Sequence, residues 1–143
     1  MANITHSVNH QAQTQQMSCW AASAAMLTDT TEAAILEKFA DFGSDGADEP
    51  ECQRLASELS LTIVAEACRA GDGWWQLLQR GPVMVGIPGH FIVVSGIDYN
   101  EETKAYYLLV DDPANSAADW RVLETVENGY EADWDFSYDM LQR

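Results

Sequence analysis

Basic residues are scarce in this 143-residue chain. Seven Lys and Arg stand against 23 Asp and Glu, a net charge of −16, and the first basic residue is Lys38. Such a surface repels nucleic-acid phosphates and anionic lipid, which argues against nucleic-acid or membrane partners and for an electropositive one. Cysteine is scarce too. Cys19, Cys52 and Cys68 are odd in number and widely spaced, which argues against a disulfide framework and fits a reducing compartment. No Cys-x-x-Cys pair offers a structural zinc site, and neither metal nor cofactor is expected. The longest apolar run, Cys19 to Leu27, is too short to cross a membrane, and no positive charge precedes it as in a secretion signal. With no repeats, low-complexity linkers or second domain, residues 1–143 read as one soluble domain made without a cleaved signal.

The 47% hydrophobic content and five Trp are ample for a core. Residues 1–12 are polar and expected to be extended or loosely ordered; His6 and His10 stand four apart, but no neighbouring ligand completes a metal pair. Cys19 to Leu27 predicts a helix apolar nearly all round, hence central. Asp29 offers an N-cap with Glu32 three positions later, for a second helix to about Ala40. Pro50 opens a third helix that places Cys52, Leu55, Ala56 and Leu59 along one face, making Cys52 core packing. Leu61 to Ala65 reads as a short strand, Gly71-Asp72-Gly73 as a break, and Trp74 to Arg80 as a short helix. From Gly81 the character changes to β-branched apolar runs, Pro82–Ile87, Phe91–Asp98 and Ala105–Val110, typical of buried strands. Trp120, Val122 and Leu123 open a possible further strand, with a turn at Asn128-Gly129. Helices first and strands later describe an α+β domain, helical over about 11–80 and β over about 81–143.

Cys19 opens its helix at the positive end of the macrodipole, which favours thiolate over thiol. Gln13, six residues upstream, is close enough for its amide to return beside the sulfur as an oxyanion donor. A lone cysteine in a helix is by default small core packing, so the site needs a base and an orienting group. His90 stands at the start of a strand after a Gly-containing turn and is the one histidine outside the N-terminal segment. If strands 90–98 and 104–112 pair around a turn near Glu101-Glu102, the residue opposite His90 is 112, give or take one. Asp112 can then fix the imidazole's tautomer and orientation, with Asp111 left open by the register.

Gln13…Ser18-Cys19-Trp20-Ala21-Ala22-Ser23, Gly81-Pro82-Val83…Gly89-His90-Phe91-Ile92-Val93-Val94-Ser95-Gly96 and Asp112-Pro113 together resemble a papain-like cysteine peptidase. The compact bacterial branches are the nearest in pattern: double-glycine leader peptidases and secreted papain-like effector or toxin peptidases. Ser18-Cys19-Trp20 departs from the Asp-Cys-Gly of the leader peptidases, and an Asp stands where papain-type enzymes use Asn. The resemblance implies a helical half carrying Cys19, a β half carrying His90 and Asp112, and an oxyanion hole of Gln13 and the Cys19 N–H. Trp20 is expected to pack the seam between the halves.

The same resemblance implies endoproteolysis of a protein substrate, with a Gly-Gly site as first expectation. It also implies a bacterial effector or toxin used in interbacterial competition, delivered by a secretion system into a target cell's cytoplasm and neutralised in its producer by an immunity protein. Two rival readings are other thiol-acyl chemistry (a cell-wall amidase, deamidase or acyltransferase) and a non-enzymatic acidic interaction module.

Overall fold

The computed structural model describes residues 3–42, 47, 49–64, 71–87, 90–123 and 140–143. Cys68, Gly89 and the Asn128-Gly129 turn lie outside the described residues. Four helices are present among them: α1 (Cys19–Thr28), α2 (Glu32–Lys38), α3 (Glu49–Glu58) and α4 (Gly71–Leu78). The strands are β1 (Ile4–Thr5), β2 (Thr62–Ile63), β3 (Val83–Ile87), β4 (His90–Asn100), β5 (Ala105–Asp111), β6 (Asp119–Val122) and β7 (Met140–Gln142). All pair antiparallel in one sheet of order β2-β7-β3-β4-β5-β6, with β1 added to β4. The architecture is the expected α+β, although residues 4–5 and 62–63 of the N-terminal half also contribute strands.

The apolar runs are continuous because the sheet is covered on both faces. Alternate strand residues enter different clusters. Met84, Phe91, Val93 and Leu141 pack with α1 and with Ile35, Phe39, Cys52 and Leu55 of the helical half. Val83, Val85, Ile92, Val94 and Met140 pack with Trp74 and Leu78 of α4. α1 is buried from Cys19 through Leu27, which its small Ala residues allow by close approach. Cys52 is core, as expected, at 1% exposure.

Several local expectations are corrected. Asp29 does not begin α2; it ends α1 in the left-handed conformation, φ 57°, and donates its N–H to the Ala25 carbonyl. Thr31 is the N-cap of α2, its hydroxyl accepting from Ala34 N at 3.2 Å. Gly71 and Gly73 do not break the chain but belong to α4. A Cβ on Gly71 would stand 2.3 Å from the Tyr106 ring, so this glycine permits helix-to-sheet contact rather than a turn. Trp20 packs 4.9 Å from Phe42 and edge-on to Phe39 at 6.4 Å, in the cluster that also holds Met84, Phe91, Val93 and Leu141 of the sheet.

The N-terminal segment is ordered by the sheet. β1 aligns Ile4 with Ile97 and Thr5 with Gly96, on the edge of β4 that β3 has left free beyond Val94. A Cβ at Gly96 would meet the Ile4 carbonyl at 2.7 Å; close backbone approach is what this glycine supplies. His6 N donates to the Ser95 carbonyl at 2.8 Å. Residues 6–10 are not helical, so the spacing of His6 and His10 sets up no helical metal pair. His6 contacts the Leu78 carbonyl, whereas His10 reaches Asp111 and Asn115.

Candidate active site

Cys19 is the first residue of α1 and is 4% exposed. Ser18 precedes it at the N-cap position, but its side chain does not cap the helix. The Ser18 hydroxyl donates instead to Glu32 Oε2 at 2.9 Å and accepts from Gln15 N at 3.1 Å. Glu32, 5% exposed in the first turn of α2, also accepts from Thr14 N at 3.0 Å and from the Thr14 hydroxyl. One buried carboxyl group thus ties down the loop that leads into Cys19.

His90 stands at the head of β4, and its Nε2 lies 2.6 Å from Asp112 Oδ1. The contact is diagonal. Val93 pairs with Asp111 and Val94 with Val110, after an irregularity between Val94 and Gly96. Carried one residue further, this register sets Asp112 across from Ile92, on the same face as His90 but two residues along it. Asp112 is 6% exposed. Its Oδ1 also accepts from Ala114 N at 2.9 Å, and its Oδ2 lies 3.9 Å from an Arg121 nitrogen on β6.

Burial works against charge on His90, but hydrogen bonds to Asp112 and then to Cys19 outweigh it, and the imidazole is pushed up to about 9. With Nε2 turned to Asp112, the other ring nitrogen is left for the sulfur. Cys19, His90 and Asp112, 93 positions apart end to end, therefore converge. At neutral pH the arrangement presents a sulfur beside an imidazolium held by a carboxylate, the disposition thiol-acyl chemistry requires.

Gln13 lies in the same region. Its backbone N donates to the Pro113 carbonyl at 2.8 Å, linking the Cys19 loop to the Asp112 turn. Its side-chain nitrogen donates to the Gln15 and Gln16 carbonyls, each at 2.9 Å. Its Oε1 is buried with no hydrogen-bond partner among the described residues. The amide hydrogens are thus engaged within the loop.

The register question over Asp111 has a geometric answer. Neighbours on a strand face opposite ways, and Asp111 turns away from His90 to meet Ser95 Oγ at 2.7 Å and His10 Nδ1 at 3.1 Å. Three further side chains bear on the site: Glu32, Arg121 and His10. The sequence marks Glu32 as a capping residue and His10 as half of the His6/His10 pair, but links neither to Cys19 or Asp112, and no local pattern marks Arg121; the partners of all three are distant in the chain. A groove of about 540 Å³ opens beside the Cys19 loop, walled by Met17, Trp20, Leu36, Phe39 and Phe42, with Gln15 and Gln16 at its polar edge.

The family described as "papain-like cysteine protease AvrRpt2" matches residues 2–128. Among solved structures the chain is similar to "UfSP from C. elegans", with a TM-score of 0.54 at 16% identity, over 98% of this chain and 33% of that one. At that identity the likeness concerns the fold, and the chain spans about a third of the length of that structure. No curated protein matches the chain.

Proposed function

The chain belongs to the AvrRpt2 family of papain-like cysteine proteases, and from that premise we propose that it cleaves a protein substrate with Cys19 as nucleophile, His90 as acid-base and Asp112 as orienting group. The convergence of these three side chains, with His90 bonded to both partners, is the observation that carries the reading. The Cys19 sulfur, its proton held on His90, attacks the scissile carbonyl carbon and forms a tetrahedral oxyanion. His90 gives its proton to the leaving amine as the C–N bond breaks, leaving a thioester. Water then adds with His90 as base, and the acid product leaves as the sulfur is regenerated.

The oxyanion is assigned to the Cys19 N–H and Gln13. A donor of this kind lowers the barrier by roughly 3–4 kcal/mol. Gln13 serves by exchanging one of its loop carbonyls for the substrate oxygen. The groove beside Met17, Leu36 and Phe42 adjoins the Cys19 loop, and its mixed polar and apolar surface, with Gln15 and Gln16 at the edge, suits a length of substrate chain.

The finer biological reading follows the sequence resemblance. A Gly-Gly site in an exposed segment is the proposed substrate, and an effector or toxin restrained by an immunity protein the proposed context. The charge of −16 favours a basic surface on the restraining partner, with association that slows steeply as salt is added. The test is N-terminal labelling of a lysate incubated with the protein or with Cys19→Ala. New protein N-termini that depend on Cys19 are expected; identical termini with both proteins would overturn the peptidase role of Cys19.

A further inference from the structure

The turn that carries Asp112 is gripped from the N-terminal segment. His10 Nδ1 lies 3.1 Å from Asp111 Oδ1, and His10 Nε2 lies 2.8 Å from the Asn115 carbonyl. One imidazole therefore spans from the residue before Asp112 to a residue three beyond it. Gln13 N adds a third link at the Pro113 carbonyl. Asp111 is 2% exposed, and its other oxygen is fixed by Ser95 Oγ.

This grip matters because the sheet does not extend to Asp112. β5 ends at Asp111, and its pairing with β4 ends with Val93 opposite Asp111. Beyond that point the turn holds itself by Asn115 N to the Asp112 carbonyl at 2.9 Å and by Ala114 N to Asp112 Oδ1. Such a turn is compact but has no strand to fix its tilt. A planar ring with an acceptor at each nitrogen is a spacer of fixed length, donating to both as the imidazolium and to one as the neutral ring. The His90–Asp112 bond it would protect is 2.6 Å long, and hydrogen bonds weaken steeply with small displacements and poor angles.

We propose that His10 is a positioning residue, which acts through Asp111 and Asn115 to hold the Asp112 turn in register with His90. The proposal rests on the Cys19–His90–Asp112 reading. His10 is placed to act on the reacting atoms only at second hand: the charged groups facing His90 are Cys19 and Asp112, Arg121 faces Asp112 from β6, and Asp111 faces His10.

The test is alkylation of Cys19 by iodoacetate across pH 5 to 10, read by mass spectrometry of the Cys19 peptide from the full chain. In the wild type the rate is expected to fall as pH rises through about 9, where His90 loses the charge that attracts the anionic reagent. His10→Ala is expected to move that fall down by about one pH unit in the folded protein, because a displaced Asp112 no longer supports the His90 charge. His10→Asn keeps a donor for Asp111 but cannot reach Asn115; it is expected to shift the fall in the same direction and replaces the alanine variant if that does not fold. A folded variant whose fall stays at the wild-type pH overturns the positioning role. A wild-type profile with no fall overturns the Cys19–His90–Asp112 reading itself and the positioning role with it.

Discussion

Ser18, the residue before Cys19, gives its hydroxyl hydrogen bond not to its own helix but to Glu32, 14 residues on in the first turn of α2. With the two bonds from Thr14, Glu32 gathers the whole loop that precedes the nucleophile position. Glu32→Ala would remove the acceptor shared by the buried Ser18 hydroxyl and the exposed Thr14, at a cost of roughly 1–3 kcal/mol. Urea denaturation of the variant is expected to show that loss, together with faster proteolysis within residues 13–18. A midpoint equal to the wild type would remove the latch role.

His90 makes stability depend on pH in a defined direction. Its folded-state value, about 9, lies above the ordinary 6.5, so between those pH values the folded chain binds more protons than the unfolded one. The stabilisation from this group is full below about 6.5 and is lost as pH rises through 9. Its size is on the order of 1–3 kcal/mol after allowance for the part of the ring that meets water. The difference in unfolding free energy between the wild type and His90→Gln is expected to shrink steadily from pH 6.5 to 9.5.

Asp112 accepts from His90 and from its own turn with the same oxygen. Asp112→Asn keeps an acceptor there but loses the negative charge, whereas Asp112→Ala loses both. Turnover on a peptide spanning an identified cut is expected to fall about tenfold or more for Asn and further for Ala. In both variants the His90 charge is expected to be lost at lower pH than in the wild type, read by NMR titration of the ring. Equal turnover in all three proteins would exclude Asp112 from the mechanism.

A Cβ added at Gly96 would stand 2.7 Å from the Ile4 carbonyl, closer than real Cβ atoms approach. Gly96→Ala is expected to cost about 1–3 kcal/mol and to release β1. Hydrogen exchange at the His6 amide, which donates to the Ser95 carbonyl, would then accelerate, while the pairing of β4 with β3 stays protected. Unchanged exchange at that amide would show that β1 accommodates the methyl group.

Much of the architecture was legible because it depends on local chemistry. The all-apolar run after Cys19 and the β-branched runs after Gly81 each allow one kind of element, and both formed. His90 and Asp112 were legible through strand parity, which survives a register error of two. The hairpin arithmetic placed Asp112 directly opposite His90, whereas the irregularity at Ser95 and the actual turn at residues 101–104 make the contact diagonal. Asp29 was misread because an acidic residue ahead of a helix resembles an N-cap, and only the backbone shows that Asp29 closes the preceding one. Glu32, Arg121 and His10 acquire their roles from partners on other elements, and no spacing rule encodes those meetings. Gly71 was read as a breaker because the Tyr106 ring that needs its bare face lies 35 residues away.

The first dozen residues also bear on the order in which this molecule assembles. Ile4 meets Ile97, and His10 meets Asp111, across separations of 93 and 101 residues. Gln13 with Pro113 and His10 with Asn115 close loops of like size, and closure of large loops comes at an entropic cost that only already-formed partners repay. The β4–β5 hairpin must therefore exist before the N-terminal strand can dock, although that strand is synthesised first. In refolding, tryptophan burial by the sheet and α1 should precede competence of Cys19 toward iodoacetate's charge-assisted reaction. A chain arrested at that stage has its core, the helix of Cys19 and the strand of His90, yet lacks the contacts that His10 and Gln13 make with the turn at Asp112.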